Sequence, residues 1–245
     1  LNAMSAKKPL GKLSPEKIRL MEAPSIPADI IARFNNLSDL TGTISDVCDS
    51  LGLSCLIPAM ELKPTTTRRI VGPALTVRNI PRSAQIYKAV VDKSNLMGET
   101  EAHNIAKPGD VLVIEGLAGV SAMGGLSASM GKRQGQIGAI IDGSVRDPDA
   151  YEKLDWPVWC RGYTPITGKW RGETVEVNGT VRICGIQCSP GDLVCADRAG
   201  VAIVPRQMIE DVLEICEVYD KADGVRQADI DSGMPMHEIM AKKYK

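Results

Sequence analysis

Aromatic side chains are scarce in this sequence, with one Phe, five Tyr and three Trp among 245 residues. Bases of single-stranded nucleic acid stack on such rings, so a stacking platform is not expected. An excess of either charge is missing as well. The 29 Lys and Arg are balanced by 30 Asp and Glu, for a net charge of −1, and the two signs are interspersed, which leaves no electrostatic footprint for nucleic acid. A role in RNA metabolism would therefore have to run through a partner protein. No apolar run approaches the roughly 20 residues that cross a bilayer, and the N-terminus has no apolar leader core. The chain is expected to stay off membranes and reads as cytoplasmic.

Histidine is limited to two residues, which bears on metals. The seven cysteines, at 48, 55, 160, 184, 188, 195 and 216, are an odd number without the spacing of a disulfide scaffold. Cys184 and Cys188 are the one pair that could bracket a metal-binding turn. Structural zinc needs four N or S ligands, and no His lies near them in the sequence, so zinc is disfavoured.

What is present is ordinary for a globular protein, at 44% hydrophobic and 24% charged residues. The length suits one core with terminal additions. Residues 1–27, interrupted by Lys and Pro, read as an N-terminal arm in which Leu1 to Ala3, ahead of Met4, look like a cloning remnant. Residues 28–221 read as a single domain and 222–245 as a helical tail that reaches another subunit or frays.

Along the chain, Ala28 to Phe34 predicts a helix. Leu40 to Leu53 predicts another, with Thr43 or Ser45 as its N-cap and Ile44, Val47, Cys48 and Leu51 on one face. Asp46 and Asp49 fall on its other side, a solvated face unless they reach a neighbouring subunit's site. Arg69 to Val77 predicts a strand that Pro73 confines to an edge or a bulge. Tyr87 to Ala106 is helical with a gap at Gly98, and it carries His103, a residue type that on a helix usually packs or caps. PGD occurs twice, at Pro108 to Asp110 and Pro190 to Asp192, each time before an apolar strand, which suggests two equivalent corners. Asn178-Gly179 gives the strongest hairpin signal, within Thr174 to Ile186. A long helix follows Pro205, with Ile209, Val212, Leu213, Cys216 and Tyr219 in a stripe. Many short strands with helices at both ends, and no crossover helices after Pro157, suit an α/β fold of β/β/α or αββα sandwich type better than a Rossmann sheet.

The stretch Glu115 to Asp149 organises the rest. It reads as a strand end, a loop with Gly119, Gly124 and Gly125, a helix, the buried strand Ile137 to Ile141, and a tight loop carrying Arg146 and Asp147. Gly costs backbone entropy inside helices and strands, so this glycine loop is expected to turn sharply or approach a ligand. Backbone N–H groups at a helix start lack intrahelical partners and favour carboxylates or phosphates. Arg146 offers a fork of donors for an oxyanion, and Asp147 an oxygen for a hard cation. Plain capping of a helix that begins near Pro148 would also use this pair. Arg161, Lys169 and Arg171 lie in a following loop that could add positive charge, though a solvated loop is the commoner use of such a segment.

GG at 124–125, twenty residues, then RD at 146–147, with IDG before and WPVWCRGYTP after, resembles the family that contains the regulator of ribonuclease activity A and the class II 4-hydroxy-4-methyl-2-oxoglutarate aldolases. GIQCSPGDLVCADRAGVAIVP, from Gly185 to Pro205, is similar to a second stretch of that family. The pattern T-x-x-D-x-x-D-x-L from Thr43 to Leu51 is a third, and together they cover roughly residues 40 to 210. The resemblance implies a swivelling-type fold similar to the phosphohistidine domain, assembled as a homotrimer or a dimer of trimers. It implies cleavage of a small 2-oxo acid, by retro-aldol reaction or by decarboxylation of oxaloacetate, through pyruvate enolate. In that chemistry the amides of Gly125, Leu126 and Ser127 hold the substrate carboxylate. Asp147 holds Mg2+ or Mn2+, otherwise water-bound, and Arg146 stabilises the enolate oxygen. Lys132 lies about two turns into the helix, wrong for a Schiff base. Two features depart from the pattern. Ala150 stands where an acid is expected, with Asp149 one step earlier, and the acid from a neighbouring subunit has only Glu214 or Glu217 as candidates. The other implied activity is that of a non-catalytic, protein-binding regulator of an RNA-degrading enzyme. A methyltransferase is not supported, since no Gly-rich strand-to-helix turn is followed by a ribose-binding acid.

Overall fold

The structure is a computed structural model that describes residues 7–245; Leu1 to Ala3 lie outside the described residues. Two helices come first, α1 (Ala28–Asn35) and α2 (Leu40–Leu51), then the short strands β1 (Leu56–Pro58) and β2 (Lys63–Pro64) and the long strand β3 (Ile70–Pro81). Helices α3 (Ile86–Val91) and α4 (Glu99–Ile105) lead to β4 (Val111–Glu115), α5 (Gly125–Arg133) to β5 (Gly138–Val145), and α6 (Pro148–Leu154) to β6 (Val158–Tyr163). Five strands follow without a helix between them: β7 (Gly172–Val177), β8 (Val181–Ile183), β9 (Ile186–Cys188), β10 (Leu193–Ala196) and β11 (Gly200–Val204). Helices α7 (Ile209–Asp231) and α8 (Met236–Ala241) end the chain.

The large sheet is mixed, in the order β1-β11-β10-β3-β4-β5-β6-β2, with β7 pairing to the far half of β3 and β8–β9 forming a separate hairpin. Strands β3 to β6 are parallel neighbours, and the connections between them are helical. The first half of the chain therefore does contain strand–helix–strand crossovers, which the reading of many helix-free strands describes only after β6. Apolar residues divide among three clusters. One lies between α4 to α6 and one face of β3 to β6, and includes Leu75, Leu112, Ile141 and Tyr151. A second joins the opposite faces of those strands to β8, β10 and β11, through Val113, Trp159, Ile183 and Ile203. The third packs α1, α2 and α7 on the outer face of β10 and β11, around Phe34, Ile44, Cys195 and Leu213.

Several local expectations are corrected. Pro73 is in no edge strand: β3 pairs with β10 through Pro73 and with β4 from Ala74 onward, so the proline falls where the strand changes partners. Neither Thr43 nor Ser45 caps α2. Asp39 does, accepting from the Gly42 amide, while Asp197 binds both the amide and the hydroxyl of Thr41. The hairpin turn is at Cys184-Gly185, with φ of 48° and 87°, because β7 is taken by β3 and leaves Asn178 to bridge onward. The tail folds back as α8, and Lys245 reaches Asp223 at 2.8 Å and Asp46 at 3.5 Å.

The repeated PGD does make two equivalent corners. Gly109 and Gly191 both have positive φ, 91° and 82°, which a side chain would strain. Asp110 accepts the amide of Lys107, and Asp192 that of Ser189, in the same three-residue reach. The strands they open, β4 and β10, both pair with β3.

Candidate functional site

The loop between β4 and α5 is stitched to the end of β5. Ala122 donates to Ser144 O at 2.9 Å, Arg146 to Met123 O at 3.0 Å, and Ser121 to Ile166 O at 2.8 Å. Met123 O also accepts from the Ser121 hydroxyl at 2.7 Å, which fixes the last residue before the paired glycines. A neighbouring strand end thereby sets the direction in which α5 begins.

Gly124 and Gly125 are required by a close approach. A Cβ on Gly124 would lie 2.6 Å from Asp147 Oδ2, and one on Gly125 would lie 2.6 Å from the Cβ of Ala150. The loop carrying Arg146 and Asp147 therefore sits directly against the start of α5. Asp147 is left-handed, with φ of 59°, a conformation that Asp adopts more readily than most residues. It occupies the N-cap position of α6 but makes no side-chain cap there. Its Oδ2 instead accepts the Gly125 amide at 2.9 Å.

This changes the role expected of Gly125. Of the three amides assigned to a substrate carboxylate, that of Gly125 is spent on Asp147. Those of Leu126 and Ser127 remain in the first turn, where intrahelical bonding begins with Ala128 donating to Gly124 O. Arg146 Nε lies 3.9 Å from Asp147 Oδ1, and the two side chains are 38% and 49% exposed, so both reach solvent beside those amides. The Leu126 side chain is 85% exposed at the same rim. Beneath it Tyr151 is buried, with its hydroxyl 3.4 Å from Met123 O.

Other sequence candidates lie elsewhere. Arg161 is engaged by Asp142 at 2.5 Å and Glu61 at 3.0 Å, and Arg171 donates to Thr167 O. Asp46 faces the C-terminal tail. Glu217 forms a two-pronged pair with Arg33 that ties α7 to α1, with both contacts at 2.7 Å, so it is committed within its own chain. Lys132 donates to Leu154 O at the other end of α5. Cys188 is buried and burial pushes its thiol up, unfavourable for a thiolate ligand.

His103 is buried against Ser127, its Nε2 lying 2.7 Å from the hydroxyl. The only signal in the sequence is that its place on α4 faces the core, which most helical histidines share.

Among the described residues no group of three or more His, Cys, Asp or Glu could hold a metal ion. Zinc needs several N or S ligands. A single carboxylate such as Asp147 is the kind of ligand Mg2+ takes, since that ion keeps most of its waters and uses one or two carboxylates together with substrate oxygens. Asp147 Oδ2 is held by the Gly125 amide, and Oδ1, 3.9 Å from Arg146 Nε and partly exposed, is the oxygen that could meet such an ion.

Comparison with known proteins places the chain. The family model described as RraA-like, Aldolase/RraA, matches residues 41–203. A Halalkalibacterium halodurans protein, provisionally named as a 4-hydroxy-4-methyl-2-oxoglutarate aldolase, is 30% identical over 218 residues, spanning 87% of this chain and 95% of the relative. The crystal structure of Streptomyces coelicolor RraAS2, described as an unusual member of the RNase ES inhibitor RraA protein family, matches with a TM-score of 0.65 at 25% identity, covering 86% of this chain and 99% of that one. An uncharacterised protein from Pseudomonas syringae pv. tomato shares the fold, with a TM-score of 0.74 at 24% identity over 89% of this chain and 99% of that one.

Proposed function

The chain belongs to the RraA-like aldolase family, and from that premise we propose that it is a metal-dependent class II lyase acting on a small 2-oxo acid. The reaction is retro-aldol cleavage of 4-hydroxy-4-methyl-2-oxoglutarate-type substrates, decarboxylation of oxaloacetate, or both. The observation that carries this reading is electrostatic. A carboxylate, Asp147, is tied to the start of α5, beside the two amides and the arginine best suited to an anion. An anionic substrate would be repelled there unless a cation lay between the acids, and a small divalent ion meets that need.

The amides of Leu126 and Ser127 hold the carboxylate next to the keto group. Arg146 places its guanidinium by the keto oxygen, where negative charge grows as the C3–C4 bond breaks. Mg2+ or Mn2+ at Asp147, when bound, supplies Lewis-acid polarisation of that same oxygen. Lys132 is engaged by Leu154 O, which supports a route without a Schiff base. The three packed clusters fit an αββα sandwich of the swivelling type, similar to the phosphohistidine domain. A homotrimer or a dimer of trimers is proposed from the family resemblance alone. No helix among the described residues is long and apolar enough to cross a membrane. Pyruvate release from oxaloacetate and from 4-hydroxy-4-methyl-2-oxoglutarate, with added Mg2+ and with EDTA, tests the assignment.

A second reading, a protein-binding regulator of an RNA-degrading enzyme, is favoured by the likeness to RraAS2 and by Ala150. Ala150 packs against Gly125 where an aldolase is expected to have an acid. Metal-independent binding to such an enzyme, without pyruvate release, would select it.

A further inference from the structure

Ser127 lies in the first turn of α5, and its hydroxyl turns inward to His103 Nε2 at 2.7 Å. On the other side of the ring, Nδ1 is 2.6 Å from Oε1 of Gln136. Gln136 is itself fixed through its backbone. Its amide donates to Gly131 O at 3.0 Å, and its carbonyl accepts the Trp156 indole N–H at 2.7 Å. All three side chains of the chain Ser127–His103–Gln136 are buried. Gly131 makes room for it, since a Cβ there would meet Gln136 Oε1 at 2.8 Å and His103 Cε1 at 3.0 Å. One imidazole thus links the first turn of α5 to Gln136, two residues beyond its C-cap.

With Gln136 oriented so that Oε1 faces the ring and its Nε2 is buried without a partner, Nδ1 carries the ring proton and Nε2 of the imidazole accepts from the Ser127 hydroxyl. Burial keeps the imidazole neutral by lowering its pKa. The direction of the Ser127 hydroxyl follows from this. A serine in a helix otherwise bonds to its own backbone, as Ser129 does here with Gly125 O at 3.0 Å. The equivalent acceptor for Ser127, four residues back, is Met123 O. That carbonyl joins the glycine loop to the Arg146 amide.

We propose that His103 is a positioning residue for the substrate carboxylate, holding the Leu126 and Ser127 amides in place through the Ser127 hydroxyl. This rests on the lyase reading for its effect on catalysis. His103 is buried behind Ser127 and acts through its hydroxyl, so its removal should weaken ground-state binding more than the chemical step.

Two variants separate positioning from mere packing. In H103Q the side-chain amide stands near the place of Nε2 and can still meet Ser127. In H103N it stands near the place of Nδ1 and meets only Gln136. Both lose part of a buried network and should unfold at lower temperature than the wild type. The proposal expects KM for oxaloacetate to rise about tenfold in H103N with kcat within about twofold, as for other supporting contacts around a site. The rise should be distinctly smaller in H103Q, and H103N should add nothing to S127A. Hydrogen exchange at the amides of Leu126, Ser127 and Ala128, read on the same proteins, should quicken in H103N and not in H103Q. Wild-type protein without turnover would sink the lyase reading alone, because the exchange measurement still decides whether His103 holds the turn. Equal exchange and equal KM in H103N and H103Q, following their unfolding temperatures, would overturn the proposal.

Discussion

Asp147 accepts the amide of Gly125 at 2.9 Å, so the residue proposed to hold the metal also closes the first turn of α5. The two roles can be separated. Asn keeps an acceptor oxygen and tolerates the left-handed backbone at φ of 59°, whereas Ala loses the acceptor and is strained there. D147N is expected to unfold within about 1 kcal/mol of the wild type, and D147A to lose about 1–2 kcal/mol more, the cost of a lost cap plus backbone strain. Denaturant titration of the three proteins checks this. Metal-dependent activity should be lost in both.

The paired glycines predict different outcomes. Alanine at Gly125 places its methyl 2.6 Å from the Cβ of Ala150, where neither backbone can yield easily. A loss of about 1–3 kcal/mol is expected, as for other overpacked positions. Alanine at Gly124 meets the carboxylate of Asp147 instead, which can turn away. G124A should therefore lose metal response together with the Gly125–Asp147 bond, at a cost of about 1 kcal/mol, and thermal unfolding beside a metal titration distinguishes the two.

His103 gives a pH signature. Burial holds its imidazole below the usual value of about 6.5, so on acidification the unfolded chain takes up the proton first. The stability it contributes is complete above that value and is lost as pH falls through it toward the folded pKa. Burial raises Asp110 and Asp192, which act with the opposite sign. The unfolding temperature of the wild type should fall between about pH 7 and pH 5.5, and this part of the slope should be absent from H103Q.

Cys184 predicts a gain. It holds a φ of 48° ahead of Gly185 at 87°, the left-handed pair of a tight hairpin that Asn-Gly fills best. C184N should stabilise the protein by about 0.5 kcal/mol, read from the denaturant midpoint, because its backbone amide can still donate to Asp142.

These residues show what the sequence makes legible. The apolar stripes of α2 and α7 and the run that becomes β5 announce themselves by period, and the repeated PGD carries its own turn chemistry. Pairing does not. Asn178-Gly179 has the better hairpin composition, yet β7 finds more partner in β3, and the turn passes to Cys184-Gly185, which composition ranks lower. Pro73 looked like an edge because a proline lacks a donor, and only the change of partner along β3 shows why a central strand accepts it. At the site, GG and RD could be read as facing each other. That Asp147 would consume the Gly125 amide could not, since it depends on a left-handed backbone set by contacts across α5 and α6. The sequence marks His103 only as a helical histidine that packs or caps, since its role lies in two hydrogen bonds to residues 24 and 33 positions away.

The most direct test of the central claim is pyruvate release from oxaloacetate and from 4-hydroxy-4-methyl-2-oxoglutarate, followed through coupled NADH oxidation, for wild type and D147N side by side across a Mg2+ titration. Turnover that rises with Mg2+, disappears with EDTA and is absent from folded D147N is the predicted result. Wild-type release no faster than that of D147N at every Mg2+ concentration would contradict the lyase and leave the protein-binding reading in its place.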